Sequence, residues 1–533
     1  MTANRLNPMD AAWIVTESRA TPNHVGGLLQ FKLPDDAPQD FMRKMMLEFR
    51  GHRKFTPPWN QRLKESFNLN PVRTWVEDDN IDLEYHVRHA ALPWPGGERE
   101  LGELVGRLQS TPIDLTRPPW ECTIIEGIEG NRFALFIKIH HSLIDGISGV
   151  KLLQRSMSFD RSKSLHLPPF WASGKEHHEQ QKNSEPMIPT VTHAIAGAVQ
   201  ELRIQAASVP QLVVAFGKML KDAMEPKSGM AVPFDAPRSV LNGRVREKRR
   251  FATQQFSLDR MRTLAAAADC TLNDVVLAVC GGALRRFLSE RKSLPKKPLT
   301  AGIPVSVRPK DDDGNGNAIT FIVSTLGTDI ADARERLAAI RQSVKRAKEH
   351  VQSLPRQAMM QYTVLLMAPT ILTLLTGIGG RVRPMFNITI SNVPGPETPL
   401  YFRGAEMVAT YPASIVTHGQ ALNITCQSYA GNMNFGFTGC HSSMPSMQRL
   451  AVYTAEALAE LEVAFLSAKP ATAARKAAPK AKPAPKPSAA PTLAKTPVKG
   501  KAPAKAKPVA TAKPKATPTA TPVAAKRVRK KAA

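Results

Sequence analysis

FALFIKIHHSLIDGISG, residues 133–149, is the stretch from which the architecture of this chain can be read. Six of the seven residues 133–139 are apolar and Lys138 is the only charge, which predicts a mostly buried strand that stops at two histidines. Residues 142–146 turn the chain, and Ile147, Val150, Leu153 and Met157 restart the apolar pattern at helical spacing. His140 and His141 are adjacent on an extended segment, so their rings point to opposite sides and only one can face a given pocket. An imidazole titrates near neutrality; it can take a proton from a weak nucleophile such as an alcohol and return it later in the cycle. Asp145 has three roles open to it: holding the loop by an ion pair, orienting the imidazole, or capping the helix that begins at Ile147.

The whole pattern, H-H-x-x-x-D-G at the end of a buried strand, resembles the bacterial wax ester synthase/diacylglycerol acyltransferase family, within the superfamily of CoA-dependent acyltransferases that share H-x-x-x-D. His140, His141, Asp145 and Gly146 match the motif, with Ser142 where an alanine is common. Further matches follow in the family's order: Pro118-Pro119-Trp120 where Pro-Leu-Trp is usual, Asn273-Asp274, Pro304-Val305-Ser306-Val307-Arg308, and Ser391-Asn392-Val393-Pro394-Gly395-Pro396. The stretch around Thr21, Pro22, His24, Val25 and Gly26 also recurs in the family. The resemblance covers residues 6–465.

It implies an α/β fold of two chloramphenicol-acetyltransferase-like domains, each a mixed sheet with flanking helices, meeting along a channel that contains His141. It implies transfer of a fatty acyl group from acyl-CoA to a long-chain alcohol or a diacylglycerol. His141 is then the general base and Asp145 mainly architectural. No metal and no resident cofactor are implied, since acyl-CoA arrives as a substrate. Three other readings compete: a superfamily member using a polyketide or carrier-protein thioester, a non-catalytic protein that binds lipid inclusions or nucleic acid, and a bifunctional arrangement in which the body is the enzyme and the tail only localises it.

Composition bounds the rest. A chain of 533 residues accommodates two or three domains, or two domains and a tail. The net charge of +27 is uneven: residues 469–531 hold 18 Lys and Arg and no acid, which leaves +9 elsewhere. The tail from 468 to 533, rich in Ala, Lys and Pro, cannot bury enough apolar surface to offset chain entropy and is expected to be disordered. Its charge suits polyanions, either nucleic acid or anionic lipid. Five cysteines without a C-x-x-C pair argue against a disulfide framework or a zinc site and suit a reducing compartment. MTANRLNPMDAAW has an early acid and no apolar core, so no signal peptide is expected. A cytoplasmic enzyme, peripheral to membrane or lipid inclusions, is the expectation.

In chain order, the organisation expected is an N-terminal domain over 1–160, a connector with a helical segment over 161–250, a C-terminal domain over 251–467, and the tail. A strand is predicted near 25–32, then a helix carrying Phe41, Met42, Met45, Met46 and Phe49 with Asp40 as a possible cap, then a helix over Leu101, Leu104, Val105 and Leu108. Pro118 and Pro119 stiffen a loop that sets Trp120 either against a pocket wall or in the core. His24 reads as structural. Residues 192–224 look helical. In the second half, residues 273–290 form an amphipathic helix that Thr271 or Asn273 can cap, and Asn273-Asp274 is either that cap or part of a site. A strand near 299–307 leads to Arg308, whose guanidinium suits an ion pair with Asp145. The most apolar window, 362–378, is short for a membrane span and is broken by Pro369 and Gly377, so a buried or interfacial helix is expected. Ser391 and Asn392, at the end of a strand, are candidate donors to an oxyanion.

Overall fold

The computed structural model describes residues 4–64 except 7, 74–173 except 145, 231–306 except 232, 319–353, and 366–467 except 367, 368, 371 and 375. Asp145, Arg308, the helix expected at 192–224, much of the apolar window and the tail lie outside the described residues.

Apolar periodicity sets the elements of the first half. These are β1 (Asn4–Arg5), α1 (Pro8–Val15), β2 (His24–Lys32), α2 (Phe41–Gly51), β3 (Gln61–Leu63), β4 (Thr74–Glu77), α3 (Leu83–His86), β5 (Val87–Ala91), α4 (Glu98–Ser110), β6 (Trp120–Ile128), β7 (Arg132–His140) and α5 (Gly146–Gln154). In α2, Met45, Met46 and Phe49 are buried as the spacing predicts; Asp40 is the N-cap residue but makes no capping bond and pairs instead with Lys44 at 3.0 Å. β6 and β7 form a hairpin whose turn holds Gly130 and Asn131 at φ 79° and 54°, the left-handed region that glycine and asparagine tolerate best.

The second half contains β8 (Arg249–Ser257), β9 (Thr300–Ser306), β10 (Ile319–Thr325), β11 (Ile388–Val393), β12 (Tyr401–Phe402), β13 (Ala405–Ala413), β14 (Leu422–Tyr429) and β15 (Asn432–Cys440). Helices Leu258–Ala267, Leu272–Glu290, Ala333–Gln352 and Met447–Leu466 pack with them. Among the described residues no single helix is long and apolar enough to cross a membrane.

Two six-stranded sheets result, in the orders β12-β13-β2-β7-β6-β5 and β10-β9-β11-β14-β15-β8, and β1, β4 and β3 make a small third one. Each large sheet contains the same four-strand unit. In β2-β7-β6-β5 and in β8-β15-β14-β11 the first three strands are antiparallel and the last pair is parallel. The units even share register: His24 lies opposite His140 in one, and Arg249 opposite Cys440 in the other.

The sheets do not follow the consecutive division of 1–160 and 251–467. β12 and β13 come from the second half of the chain, yet β13 pairs with β2 and completes the first sheet. The physical reason is the open edge of β2, whose unpaired amides and carbonyls β13 satisfies. β13 also lies against the second sheet, where Thr410 Oγ1 donates to Gln427 Oε1 at 3.2 Å and the Ser414 amide to Thr438 Oγ1 at 3.1 Å. α4 makes the other tie: Leu101, Leu104 and Val105 are buried with Phe136 of the first sheet, while Gly102 and Gly106 let the backbone of β8 approach.

The lobes approach closely at Gly436, where an added Cβ would stand 1.9 Å from the Pro412 carbonyl oxygen. Both partners are backbone, so no rotamer change relieves the clash. Gly436→Ala is expected to cost about 3 kcal/mol or more, seen as a lower urea midpoint. Gly243→Ala, which meets nothing within 4 Å, should leave that midpoint nearly unchanged.

Candidate functional site

β7 alternates between two environments. Phe133, Leu135, Ile137 and Ile139 enter one apolar cluster, Ala134 and Phe136 enter another with α4, and Lys138 and His140 continue that second face. The strand therefore brings His140 to the α4 side and releases His141 into the turn that follows.

His140 is 0 % exposed. Its Nδ1 lies 2.6 Å from Ser142 Oγ and accepts the Ser142 backbone N–H at 3.3 Å, so the ring proton sits on Nε2, which faces Glu17 Oε2 at 3.5 Å. His24, opposite it, is also 0 % exposed. Burial, reinforced by Lys138, holds its pKa well below the ordinary histidine range, and the neutral ring bonds the Gln109 carbonyl through Nε2 at 3.0 Å. His24 is thus structural, as its sequence context suggests.

His141 is half-buried. Its backbone N–H donates to the Asn23 carbonyl at 2.9 Å, and its ring stacks on Trp13 of α1 with centroids 4.3 Å apart and planes at 26°. Asn23 Nδ2 donates to the Trp13 carbonyl at 2.6 Å and to Thr16 Oγ1 at 3.1 Å, and its amide donates to Glu17 Oε1 at 3.1 Å. Trp13, Glu17 and Asn23 were not legible as site residues, because no local spacing connects the N-terminal segment to β7. Ala20, in the same loop, accepts a bond from Arg249 of β8 at 2.6 Å, so the site borders both lobes.

Gly146 opens α5, is exposed, and an added Cβ there would meet nothing within 4 Å. Trp120 takes the core alternative: it is 0 % exposed, donates from Nε1 to the Trp59 carbonyl at 2.8 Å, and stacks with His86 and Trp171. No surface of it is left for a substrate in this structure. Thr271, not Asn273, caps the helix Leu272–Glu290; Asp274 Oδ2 accepts from the Thr271 amide and hydroxyl at 3.0 and 2.7 Å. Asp274 is 3 % exposed and its Oδ1 has no partner among the described residues, while Asn273 is half-buried.

Ser391 and Asn392 are half-buried on β11. β11 pairs with β14 as far as Val393, but with β9 only at Ile388 and Thr389. Beyond Gly302, β9 reaches Pro304, which has no N–H to continue the ladder, and β9 and β11 separate beside Ser391. Among the described residues no group of three or more His, Cys, Asp or Glu is arranged to hold a metal ion.

The repeat provides an internal comparison. Arg249, Cys440, His441 and Ser442 stand where His24, His140, His141 and Ser142 stand in the first lobe. His441 N–H donates to the Lys248 carbonyl at 2.9 Å, as His141 does to Asn23, and Ser442 Oγ lies 3.2 Å from Cys440 Sγ. The sequence carries this signal as a strand that ends in His-His-Ser at 140–142 and in Cys-His-Ser at 440–442. No Asp-Gly follows the second copy.

Two mixed sheets related by a repeat, with a histidine at one strand end on the border between lobes, are compatible with the acyltransferase architecture that the H-H-x-x-x-D-G motif led us to expect. The family comparisons agree. The wax ester synthase/diacylglycerol acyltransferase catalytic domain matches residues 6–276, and the C-terminal domain of the same family matches residues 315–462. A Mycobacterium tuberculosis protein named as a diacylglycerol O-acyltransferase is 44% identical over 494 residues, covering 87% of this chain and 98% of that protein. The O-acyltransferase WSD of Acinetobacter baylyi is 39% identical over 452 residues, covering 85% and 95%. The solved wax ester synthase/diacylglycerol acyltransferase of Marinobacter aquaeolei VT8 is similar with a TM-score of 0.69 and 36% identity, covering 87% of this chain and 99% of that one. The chain belongs to the wax ester synthase/diacylglycerol acyltransferase family and is an O-acyltransferase.

Proposed function

We propose that this enzyme moves a fatty acyl group from acyl-CoA to the hydroxyl of a long-chain alcohol or a diacylglycerol, with His141 as general base. One observation carries the choice of histidine: His140 is fully buried with protein groups at both ring nitrogens, whereas His141 keeps accessible surface at the lobe border. His141 takes the acceptor's hydroxyl proton as the oxygen attacks the thioester carbonyl. The tetrahedral intermediate collapses with loss of the C–S bond, and the imidazolium returns its proton to the departing thiolate of CoA. The acceptor is activated directly, so no acyl-enzyme forms.

His140 is a positioning residue in this reading. Asp145 and Arg308 lie outside the described residues, and the open space at Gly146 supports a reacting group passing there. Ser391 and Asn392, on the separated edge of β11, are the candidate oxyanion donors. Asn273 and Asp274 are further candidates for substrate contact, with Asp274 Oδ1, unpartnered among the described residues, as the supporting feature. Trp120 acts only from the core. The substrates are apolar, so the enzyme works at a membrane or lipid-inclusion surface in the cytoplasm. The basic tail then holds anionic surfaces or nucleic acid.

The test is CoA release from palmitoyl-CoA with hexadecanol and with dioleoylglycerol in parallel. Release that requires either acceptor is the expected result, and the faster acceptor identifies the main product. Release with neither acceptor, but with a carrier-bound thioester, would transfer the protein to that other superfamily activity.

A further inference from the structure

The inference rests on His141 as the base and adds a residue that acts through it. We propose that Trp13 is a positioning residue that holds the His141 ring and stabilises the imidazolium formed when the acceptor loses its proton.

Three observations lead there. The two rings are stacked at 4.3 Å, so positive charge on the imidazole develops over the electron-rich face of the indole. That interaction is stronger once the ring is protonated than before, which makes it a transition-state contribution and not uniform binding. Secondly, the stack is built and not incidental. Asn23 joins its two members, taking the His141 N–H on its carbonyl and donating from its side chain to the Trp13 carbonyl. Glu17 secures Asn23 and faces His140, so the clip includes both histidines. α1 itself is anchored by Ile14, buried with Leu63 and Trp75, which leaves Trp13 free to be substituted without losing the helix.

The third observation is the internal control that the repeat supplies. His441 occupies the position of His141 in the second lobe, with the same backbone bond, but among the described residues no indole stacks on it. Instead Arg250 donates to its Nε2 at 3.1 Å. Burial, together with Arg250 and Lys248, lowers its pKa. The fold therefore does not impose an aromatic face on this position. One lobe favours the imidazolium and the other opposes it.

Other charged and titratable groups on the described elements around His141 are Asp10 and Glu17 from α1 and its following loop, His24 on β2, Lys138 and His140 on β7, and Arg249 on β8; Asp145, on the turn after His141, lies outside the described residues. The substitutions below leave all of them in place, so a shift in pH profile reports the loss of the indole face.

The experiment compares the pH dependence of kcat/KM for acceptor-dependent CoA release in the native chain, Trp13→Phe, Trp13→Leu and His141→Ala. Trp13→Leu is expected to lose roughly tenfold in kcat/KM, mostly in kcat. Its acid limb should move to lower pH, because losing the aromatic face disfavours the imidazolium and lowers the pKa of the base. Trp13→Phe should restore much of the rate and most of the limb's position. Trp13→Met replaces Trp13→Leu if that variant does not fold. A folded non-aromatic variant with the native acid limb, whatever its rate, would overturn the inference. If His141→Ala is inactive and Trp13→Leu is native-like, the Trp13 inference alone fails; if His141→Ala keeps the native rate, the base assignment fails first.

Discussion

His141→Ala is expected to lower acceptor-dependent CoA release by about 10²–10⁴-fold, the range over which a general base acts, with little change in thermal stability. The ring is half-buried, and the bond from residue 141 to the Asn23 carbonyl is a backbone bond that alanine keeps. His140→Ala should behave differently. Its ring is 0 % exposed, and removing it leaves Ser142 Oγ and Glu17 facing a cavity at the end of β7. Each buried polar group left without its partner costs about 1–3 kcal/mol. Activity and melting temperature should therefore fall together in the His140 variant and separately in the His141 variant. The pair of measurements distinguishes chemistry from scaffold; a stable, inactive His140→Ala beside an active His141→Ala would exchange the two assignments.

What the sequence revealed of this arrangement was local. Residues 133–149 announce a buried strand, a turn and a helix because each of those is a pattern over a few neighbouring residues, and the structure has β7 and α5 there. The helix Leu272–Glu290 was legible for the same reason, with its cap left between Thr271 and Asn273 until the structure assigned it to Thr271. The return of β13 to the edge of β2 was not, since pairing residues 405–413 with 26–32 leaves no mark on the periodicity of either strand. Trp13 and Asn23 escaped for a similar reason: they meet His141 only once β2 and β7 are in register. Trp120 shows the limit from the other side. Its loop was foreseeable from two prolines, but whether the indole faced a pocket or the core depended on Trp59, His86 and Trp171 arriving from separate segments.

Glu121→Ala should be the most destabilising change near the site, because it strands the one charge in that buried run. Lys138 and Glu121 have side chains 2% and 4% exposed and pair at 3.1 Å across β6 and β7. Lys138 Nζ also donates to the Leu108 and Thr111 carbonyls at 3.1 and 2.7 Å, and Glu121 also receives Arg88 at 3.4 Å and Tyr85 Oη at 3.3 Å. Removing one partner of such a pair costs about 3–5 kcal/mol, because a desolvated charge remains. Burial lowers the pKa of Lys138 in the native protein, and Glu121 is what raises it back. Without Glu121 the depression deepens. The unfolded chain then binds more protons than the folded one from the folded pKa up to the ordinary lysine value, so stability rises with pH across that window. The deficit of Glu121→Ala relative to the native chain should accordingly shrink between pH 7 and pH 9 when urea midpoints are compared. Glu121→Leu combined with Lys138→Met should recover most of the loss at either pH, since apolar replacement of a whole buried pair is often neutral. A deficit that is the same at both pH values, with no recovery in the double variant, would mean that the cost comes from packing and not from charge. Lys138 lies two residues before His140 on the same face of β7, so this buried pair sets how firmly the strand end that carries the histidines is held.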